Sequence, residues 1–132
     1  MGGETDLGIP FGNETVTLVR RTETQVNGKT QAVYSTERLT GCSWRRTLRM
    51  IREDGTFRRQ EAAVCRIPYG QAKPAPGDLL ILGNPAVSVS SWADYQALLE
   101  AYRDGDGAFV VAEVRDNARP GVPIKHYAAI GA

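Results

Sequence analysis

The chain has 132 residues, of which 42% are hydrophobic, and its sixteen basic and fifteen acidic residues give a formal net charge of +1. This size and apolar content predict one globular domain, residues 1–132, with a modest core, and exclude a second domain of ordinary size. The balanced charge excludes a long-range field that would attract the whole molecule to DNA or anionic lipid, so any basic function must be local.

The beginning of the chain carries no targeting signal. MGGETDLGIP lacks the basic start and the apolar stretch of a secretory signal, and no apolar run elsewhere approaches the ~20 residues of a membrane span. We therefore expect a soluble intracellular protein with no membrane partner. We expect residues 1–13 to be flexible and to become ordered only on assembly.

The first strand is predicted over residues 14–21, ETVTLVRR, where apolar and polar positions alternate with period two. The polar segment that follows contains Asn27-Gly28, a dipeptide that favours the positive φ angles of a type I′ hairpin turn. Its arms hold little to bury. They predict a protruding hairpin or loop over residues 22–36, which is better suited to contact with a partner than to core building.

A second hairpin is predicted around Asp54-Gly55. CSWRRTLRMI precedes this turn as an amphipathic strand, and TFRRQEAAVCRI returns as its partner. If the turn has two residues, Arg49 lies opposite Gln60, Leu48 opposite Glu61, and Trp44 opposite Cys65. A longer loop would exchange the faces of the return strand.

The second half of the chain begins with a proline-rich connector, QAKPAPGD, followed by a short apolar strand, DLLILG. Ser91 and Asp94 fit the acidic variant of a capping box and predict a helix over residues 92–103. One side of this helix carries Trp92, Tyr95, Leu98, Leu99 and Tyr102. Two final strands are predicted over residues 107–116 and 123–131.

These elements predict a mainly β fold, a small antiparallel β-barrel or sandwich of about six strands with one α-helix packed on it. The candidate core residues are apolar side chains on the inward faces of these elements: Trp44, Leu48, Leu80, Trp92, Leu99 and Val111.

The sequence contains no nucleotide-binding glycine motif, phosphate-binding loop or nucleophile elbow, so we expect no enzymatic activity, catalytic residue or cofactor. Its two cysteines, Cys42 and Cys65, and single histidine, His126, are too few for a four-ligand zinc site, and we expect no metal. Both cysteines lie in apolar alternating segments, where a reduced thiol usually acts as a small core residue. A nucleophile formed by either cysteine with His126 remains an alternative.

Arginines are concentrated around the second hairpin, and their side chains are candidates for an assembly or DNA-channel surface: Arg45, Arg49, Arg52, Arg58 and Arg59. One interpretation is a solvated strand face with nearby carboxylates as partial counter-ions. The others are a surface that contacts phosphates, or an interface where guanidinium groups meet carboxylates of a neighbouring subunit. No helix-turn-helix or zinc finger is present, so any DNA contact would be with the backbone and independent of sequence.

Several short motifs occur in a characteristic order: GCSWRR, a basic hairpin, VCRIPYG, KPAPGDLLILG, VSSWADYQALL and KHYAAIGA. The positions that carry the pattern are Gly41 and Trp44, Ile67 and Pro68, Gly77 and Asp78 with Gly83, and His126 and Tyr127 with Gly131. Over roughly residues 12–132, this order and spacing resemble a family of small structural proteins of tailed bacteriophages, encoded in the head-to-tail morphogenesis region.

The resemblance implies a β-barrel subunit of a homo-oligomeric ring at the phage neck, of the head-closure, stopper or head-tail connector type. Such a ring lies between a portal or adaptor ring and the tail, surrounds the DNA channel and contacts viral DNA without specificity. The implied location is the neck of the virion, with assembly in the host cytoplasm. The arginines are then candidates for lining the channel, and Gln25, Asn27 and Lys29 for docking onto an adjacent ring.

Two alternatives stay open at this point. A tail-terminator or tail-completion ring differs from a head-closure ring only in its position and in the partner it captures. A small β-barrel module that binds nucleic acid or peptide would bind as an isolated monomer, and its nucleic-acid affinity would fall with salt.

Overall fold

A computed structural model describes residues 12–103, 107–117 and 125–131. Residues 1–11 of the predicted flexible N-terminus lie outside this part of the chain. The described residues form six strands and one helix: β1 (Glu14–Val26), β2 (Lys29–Glu53), β3 (Thr56–Pro68), β4 (Leu79–Leu82), α1 (Trp92–Arg103), β5 (Ala108–Asn117) and β6 (His126–Gly131).

The strands form one antiparallel sheet that closes into a barrel in the order β1-β2-β3-β6-β5-β4, with β4 pairing back onto β1. This confirms the predicted fold class, a mainly β protein with one helix. Closure removes the free sheet edges within the barrel wall, and each inward-facing row of side chains meets the opposite wall.

The strand β2 reaches both of its neighbours because it is 25 residues long and bends in the middle. Its first half pairs with β1 and its second half with β3. At the bend Gly41 has a φ of 69°, and the β1–β2 register shifts by one residue. The resulting bulge lets Leu39 and Cys42 both join the buried interior, although they are three residues apart.

The predicted boundaries agree with the structure where the local signals are strong. The helix spans residues 92–103 as expected, and all three predicted pairings of β2 with β3 are observed, including Trp44 opposite Cys65. The first strand is longer than predicted, because the polar arms after residue 21 continue the regular ladder to Val26. The last strand begins at His126, and predicted residues 123 and 124 lie outside the described part.

Two large apolar clusters hold the barrel together, and a third, small one is formed by Ala62, Val64 and Ile130 on β3 and β6. The interior cluster is formed by buried side chains from all six strands: Val16, Leu18, Leu39, Cys42, Ala63, Cys65, Ile67, Leu80, Phe109, Val111, Tyr127 and Ala129. The second cluster lies between the barrel wall and α1, where Val19, Leu79, Ile81 and Ala108 surround Tyr95. The Tyr95 hydroxyl donates a 2.7 Å hydrogen bond to the Gly77 carbonyl and so fixes the helix to the connector before β4.

Of the predicted core residues, Leu80 and Val111 are fully buried, and Trp44 and Leu99 are partly buried. The side chain of Leu48 lies outside the described part of the structure. The prediction for Trp92 is wrong, because its side chain is 53% exposed. Trp92 is the first residue of the helix and stacks on the outside of the Tyr95 ring, with the centroids 4.9 Å apart.

The helix start follows the capping prediction in part. The Ser91 hydroxyl accepts a hydrogen bond from the Asp94 amide at 3.2 Å, as an N-cap should. The Asp94 carboxylate accepts from the amide and hydroxyl of Ser90 instead of the Ser91 amide, and these bonds lower the pKa of Asp94.

Among the helices that the structure describes, none has the length and hydropathy needed to cross a membrane.

Candidate interaction surface

Two β-ribbons continue beyond the barrel wall. We call residues 20–35 the polar ribbon and residues 45–61 the arginine ribbon. The β1–β4 pairing ends at Val19, and the β3–β6 pairing begins at Ala63. Within the described residues, the polar ribbon and the arginine ribbon from Leu48 onward therefore pair only with themselves. Their outer edges carry backbone groups that the sheet does not use.

Both ribbons end in the predicted two-residue turns. Asn27 and Asp54 each have a φ of 52°, and the glycines that follow them have φ angles of 77° and 76°. Positive φ at both central positions is the type I′ geometry, which matches the twist of the flanking strands and fixes their register. The register in turn determines which side chains share a face.

One face of the arginine ribbon combines apolar and cationic side chains. Met50 lies opposite Arg59 and Arg52 opposite Phe57, and alternation along each strand places all four on one face, which we call the aromatic face. Met50 is 63% and Phe57 65% exposed. The Arg52 guanidinium lies over the Phe57 ring, 5.8 Å from its centroid. Burying these two exposed side chains would provide a favourable contribution to binding.

The opposite face of the arginine ribbon, which we call the polar face, carries mainly polar and charged residues, with Ile51 opposite Arg58. It carries Arg58, which contacts the Glu53 carboxylate at 3.3 Å, both side chains being more than half exposed. It also carries Arg45 at the base of the ribbon. The burial of Arg66 lowers the pKa of Arg66, and the nearby charge of Arg45 lowers it further. Exposed pairs such as Arg58 with Glu53 contribute little to stability, about 0–1 kcal/mol.

The five predicted surface arginines thus divide between two faces. Arg52 and Arg59 belong to the aromatic face, and Arg45 and Arg58 to the polar face. The side chain of Arg49 is outside the described part of the structure. In the sequence these arginines are grouped around one hairpin, which predicts a single surface. The strand alternation that separates them could have been applied to both arms once the register was predicted.

The predicted docking residues lie at the tip of the polar ribbon, and all three are exposed. Gln25 donates a 2.9 Å hydrogen bond to the Thr30 hydroxyl across the ribbon, Asn27 occupies the turn, and Lys29 lies opposite Val26. Val26 and Val33 share one face and are each 45% exposed. The sequence analysis did not single out these valines, although alternation along the two arms would have placed them together.

A buried ion pair fixes the base of the polar ribbon. The Asp78 carboxylate, 5% exposed, accepts bonds from Arg20 Nε and Nη2 at 3.1 and 2.8 Å and from the Ala75 amide at 2.9 Å. Arg20 also donates to the Lys73 carbonyl. The hydrogen bond to Asp78 raises the pKa of Arg20. Arg20 was not among the predicted site residues. Its contact with Asp78 joins residues 58 positions apart in the chain, and no local sequence pattern predicts such a contact.

The cysteines and the histidine do not form a nucleophilic pair in this structure. Cys42 and Cys65 are both free thiols with no exposed surface, inside the barrel. Cys65 lies opposite Ala129, whereas His126 lies opposite Pro68, three residues or roughly 10 Å along the ladder. His126 instead contacts the Asn117 amide nitrogen at 3.2 Å. In the described residues, no three His, Cys, Asp or Glu side chains form a metal-binding group.

Comparison with protein-family models, curated proteins and solved structures finds no match to this chain. The resemblance to phage neck proteins therefore rests on the motif string alone. The structure gives several of its positions a physical role. Gly41 forms the bulge in β2, Asp78 holds Arg20, and Gly131 lies directly beneath the Phe109 ring.

Proposed function

We propose that this chain is a structural subunit of a homo-oligomeric ring in the neck of a tailed bacteriophage. The subunit would be of the head-tail connector or head-closure type, joining the portal or adaptor to the tail around the DNA channel. The observation that carries the proposal is the pair of ribbons that leave a closed barrel with unpaired edges and exposed apolar side chains. The order of the sequence motifs supports the same proposal.

The distribution of apolar surface supports an assembly role. Six large hydrophobic side chains of the described chain are exposed, and four of them lie on the ribbons: Val26, Val33, Met50 and Phe57. A monomer gains little from these side chains because they add nothing to either core cluster. Strand edges and exposed apolar side chains are the features that a second protein uses when it adds to a sheet or covers a ribbon.

Within this proposal the two ribbons have different tasks. The polar ribbon, with Gln25, Asn27 and Lys29 at its tip, is the proposed contact with an adjacent ring. The arginine ribbon is the proposed contact within the ring or with the DNA in its channel. A ring repeats each local charge in every copy, so a chain with a net charge of +1 can still present a basic channel.

The test is the solution mass of the purified protein, alone and mixed with the portal-proximal adaptor of the same phage, followed by electron microscopy of any assembly. We expect a ring or a stable complex with the adaptor. A monomer that binds neither adaptor nor tail components at high concentration would refute the proposal.

Two matched deletions separate the tasks of the ribbons. Replacing residues 23–32 by Asn-Gly leaves Thr22 opposite Val33 and retains the turn type, and replacing residues 50–59 by Asp-Gly does the same for Arg49 and Gln60. Both replace ten residues outside the barrel wall by two and so shorten a ribbon by eight residues. We expect the first deletion to abolish adaptor binding and the second to abolish ring formation.

A second candidate is a small β-barrel module that binds nucleic acid. The observation in its favour is the proximity of Arg45 and Arg66, whose charges disfavour each other and would both be stabilised by a phosphate. Tight, salt-dependent binding of free nucleic acid by the isolated monomer would support this module. A tail-terminator or tail-completion ring, the remaining alternative, would be recognised by capture of a tail component in place of the adaptor.

A further inference from the structure

The aromatic face of the arginine ribbon has a composition typical of protein interfaces. Arg52 and Arg59 would be sufficient for phosphate contacts, but Met50 and Phe57 have no favourable partner on a DNA backbone. Aromatic residues, Met and Arg are the types enriched where proteins meet proteins. The exposed apolar side chains lie beside the arginines on one face, so this face is better suited to a protein than to DNA.

The charge of the chain indicates a second copy as the partner. The arginine ribbon, residues 45–61, contains six of the sixteen basic residues and three of the fifteen acidic residues. The rest of the chain therefore holds ten basic and twelve acidic residues. A basic ribbon and a slightly acidic body are complementary between copies, and complementary charge steers association and fixes its register.

The helix offers the complementary surface. It packs on the barrel through Tyr95, Leu98, Leu99 and Tyr102 and leaves Trp92, Glu100 and Arg103 exposed. Trp92 is 53% exposed, and its ring stacks on that of Tyr95. Tryptophan is among the commonest strong contributors to binding, and its ring attracts guanidinium groups. Glu100 provides a carboxylate on the same helix.

The ribbon and the helix lie on opposite sides of the barrel. The strand order β1-β2-β3-β6-β5-β4 places the pair β2–β3, which forms the arginine ribbon, across the barrel from the pair β5–β4, on which α1 packs. Two different surfaces on opposite walls allow each copy to bind one neighbour on each side. Such a heterologous contact closes into a ring when the rotation between copies permits it, and otherwise extends as a filament.

We infer that the aromatic face of the arginine ribbon of one copy binds the exposed side of α1 of the next copy, with Phe57 and Met50 against Trp92 and with Arg59 near Glu100. The inference rests on the proposed ring and names the contact that builds it. It assigns Arg52 and Arg59 to the subunit interface and leaves the polar face, with Arg45 and Arg58, for the channel.

Adjacent arginines provide the matched test. Arg59→Glu reverses a charge on the aromatic face, and Arg58→Glu reverses one on the polar face of the same strand, one residue away. Self-association of the full chain is measured by sedimentation velocity across a concentration series. We expect Arg59→Glu to weaken association about tenfold or more, and Arg58→Glu to change it by less than about threefold, because its lost pair with Glu53 is exposed. Far-UV circular dichroism confirms that both variants fold.

A mixture tests whether the contact joins two different surfaces. Glu100→Arg alone should weaken association as Arg59→Glu does. Mixed in equal amounts, the two variants should recover the association that each loses alone, since each offers its intact surface to the other and the two reversed charges are themselves complementary. Unchanged association of Glu100→Arg, or equal losses in Arg58→Glu and Arg59→Glu, would overturn the inference.

The outcomes also separate this inference from the proposed function. Rings that form equally well with Arg59→Glu and Glu100→Arg would overturn the contact and leave the neck ring standing. Absence of any assembly, with or without the adaptor, would overturn both. A loss of DNA binding by Arg59→Glu without a loss of self-association would assign the aromatic face to nucleic acid and overturn the contact.

Discussion

Replacing Gly131 by alanine should strongly destabilise the barrel. A Cβ atom at this position would lie 2.2 Å from the Val110 carbonyl oxygen, 2.4 Å from Cδ2 of Phe109 and 3.1 Å from its Cε2. The carbonyl belongs to the backbone of β5, the strand that pairs with β6 at this point. Phe109 is 1% exposed and in contact with the Trp44 ring, with centroids 5.0 Å apart. Neither neighbour can move without disturbing the core.

The expected cost follows from the number of contacts that must shift. Inserting one methyl group into a packed core usually costs about 1–3 kcal/mol. Two contacts well under 3 Å, one of them to backbone, place Gly131→Ala at the upper end, about 3 kcal/mol or more. For a chain of 132 residues, this corresponds to a fall in Tm of about 11 °C or more. Urea unfolding followed by tryptophan fluorescence measures the free energy of unfolding directly.

The glycine at the tip of the arginine ribbon provides the control. Gly55 has a φ of 76°, but a Cβ atom added there meets nothing within 4 Å. Gly55→Ala therefore has a conformational cost alone, about 1 kcal/mol. If Gly131→Ala loses no more stability than Gly55→Ala, the close approach of β6 to Phe109 does not hold in solution and the steric reasoning is refuted.

Three further predictions concern buried polar groups. Asp78→Ala should cost about 2–3 kcal/mol in urea unfolding, below the usual range for a fully buried pair because the Arg20 side chain is 32% exposed; a loss under about 1 kcal/mol would contradict this role. Burial, followed by the nearby carboxylate of Asp78, raises the pKa of Tyr95. The protonated Tyr95 hydroxyl therefore stabilises the fold fully below the unfolded pKa of about 10, and this stabilisation is lost as the pH rises through the folded pKa. Tyr95→Phe should lower the free energy of unfolding by about 1 kcal/mol at neutral pH, because the hydrogen bond to the Gly77 carbonyl is lost. As the pH rises from about 9 to 11, the variant should lose less stability than the wild type. Cys42 and Cys65 have no exposed surface. The hydrogen bond between the thiols and the burial of Cys65 raise the pKa of Cys65 well above its usual value, whereas the same hydrogen bond lowers the pKa of Cys42. Because burial excludes the reagent from both thiols, alkylation by iodoacetamide at about pH 8 should be at least about 100-fold slower in native protein than in urea, and equal rates would contradict burial.

The elements and the β2–β3 register could be predicted from sequence because their signals are local. Alternation, two Asx-Gly turns and a capped apolar stripe each involve neighbouring residues, and each was reproduced by the structure. Trp92 shows where a local pattern fails. It belongs to the apolar stripe of α1, but the stripe extends beyond the barrel wall at the first helical turn, so its first member is left outside. Only the position of the helix on the barrel could show this.

The remaining features depend on contacts between distant parts of the chain. Arg20 and Asp78 meet because β1 and the connector before β4 are neighbours in the closed barrel. The requirement for glycine at position 131 appears only when β6 lies against β5 and Phe109. The division of the arginines between two faces followed from the predicted register. The face that carries exposed apolar area could not be predicted, because it depends on where the barrel wall ends. The end of the wall is set by the length of β6.

Under the proposed function, stability and assembly belong to separate parts of this molecule. The buried side chains of both core clusters lie in the barrel wall or beneath α1, whereas the ribbon side chains beyond the wall are largely exposed. A substitution on a ribbon therefore removes little buried area and should cost under about 1 kcal/mol of folding free energy, while it changes the surface that a partner meets. Long self-paired ribbons are hard to account for by the stability of a monomer, because each ordered residue costs conformational entropy that exposed side chains do not offset. Their regular geometry is explained if a second chain covers them, which is the physical basis for assigning them to assembly.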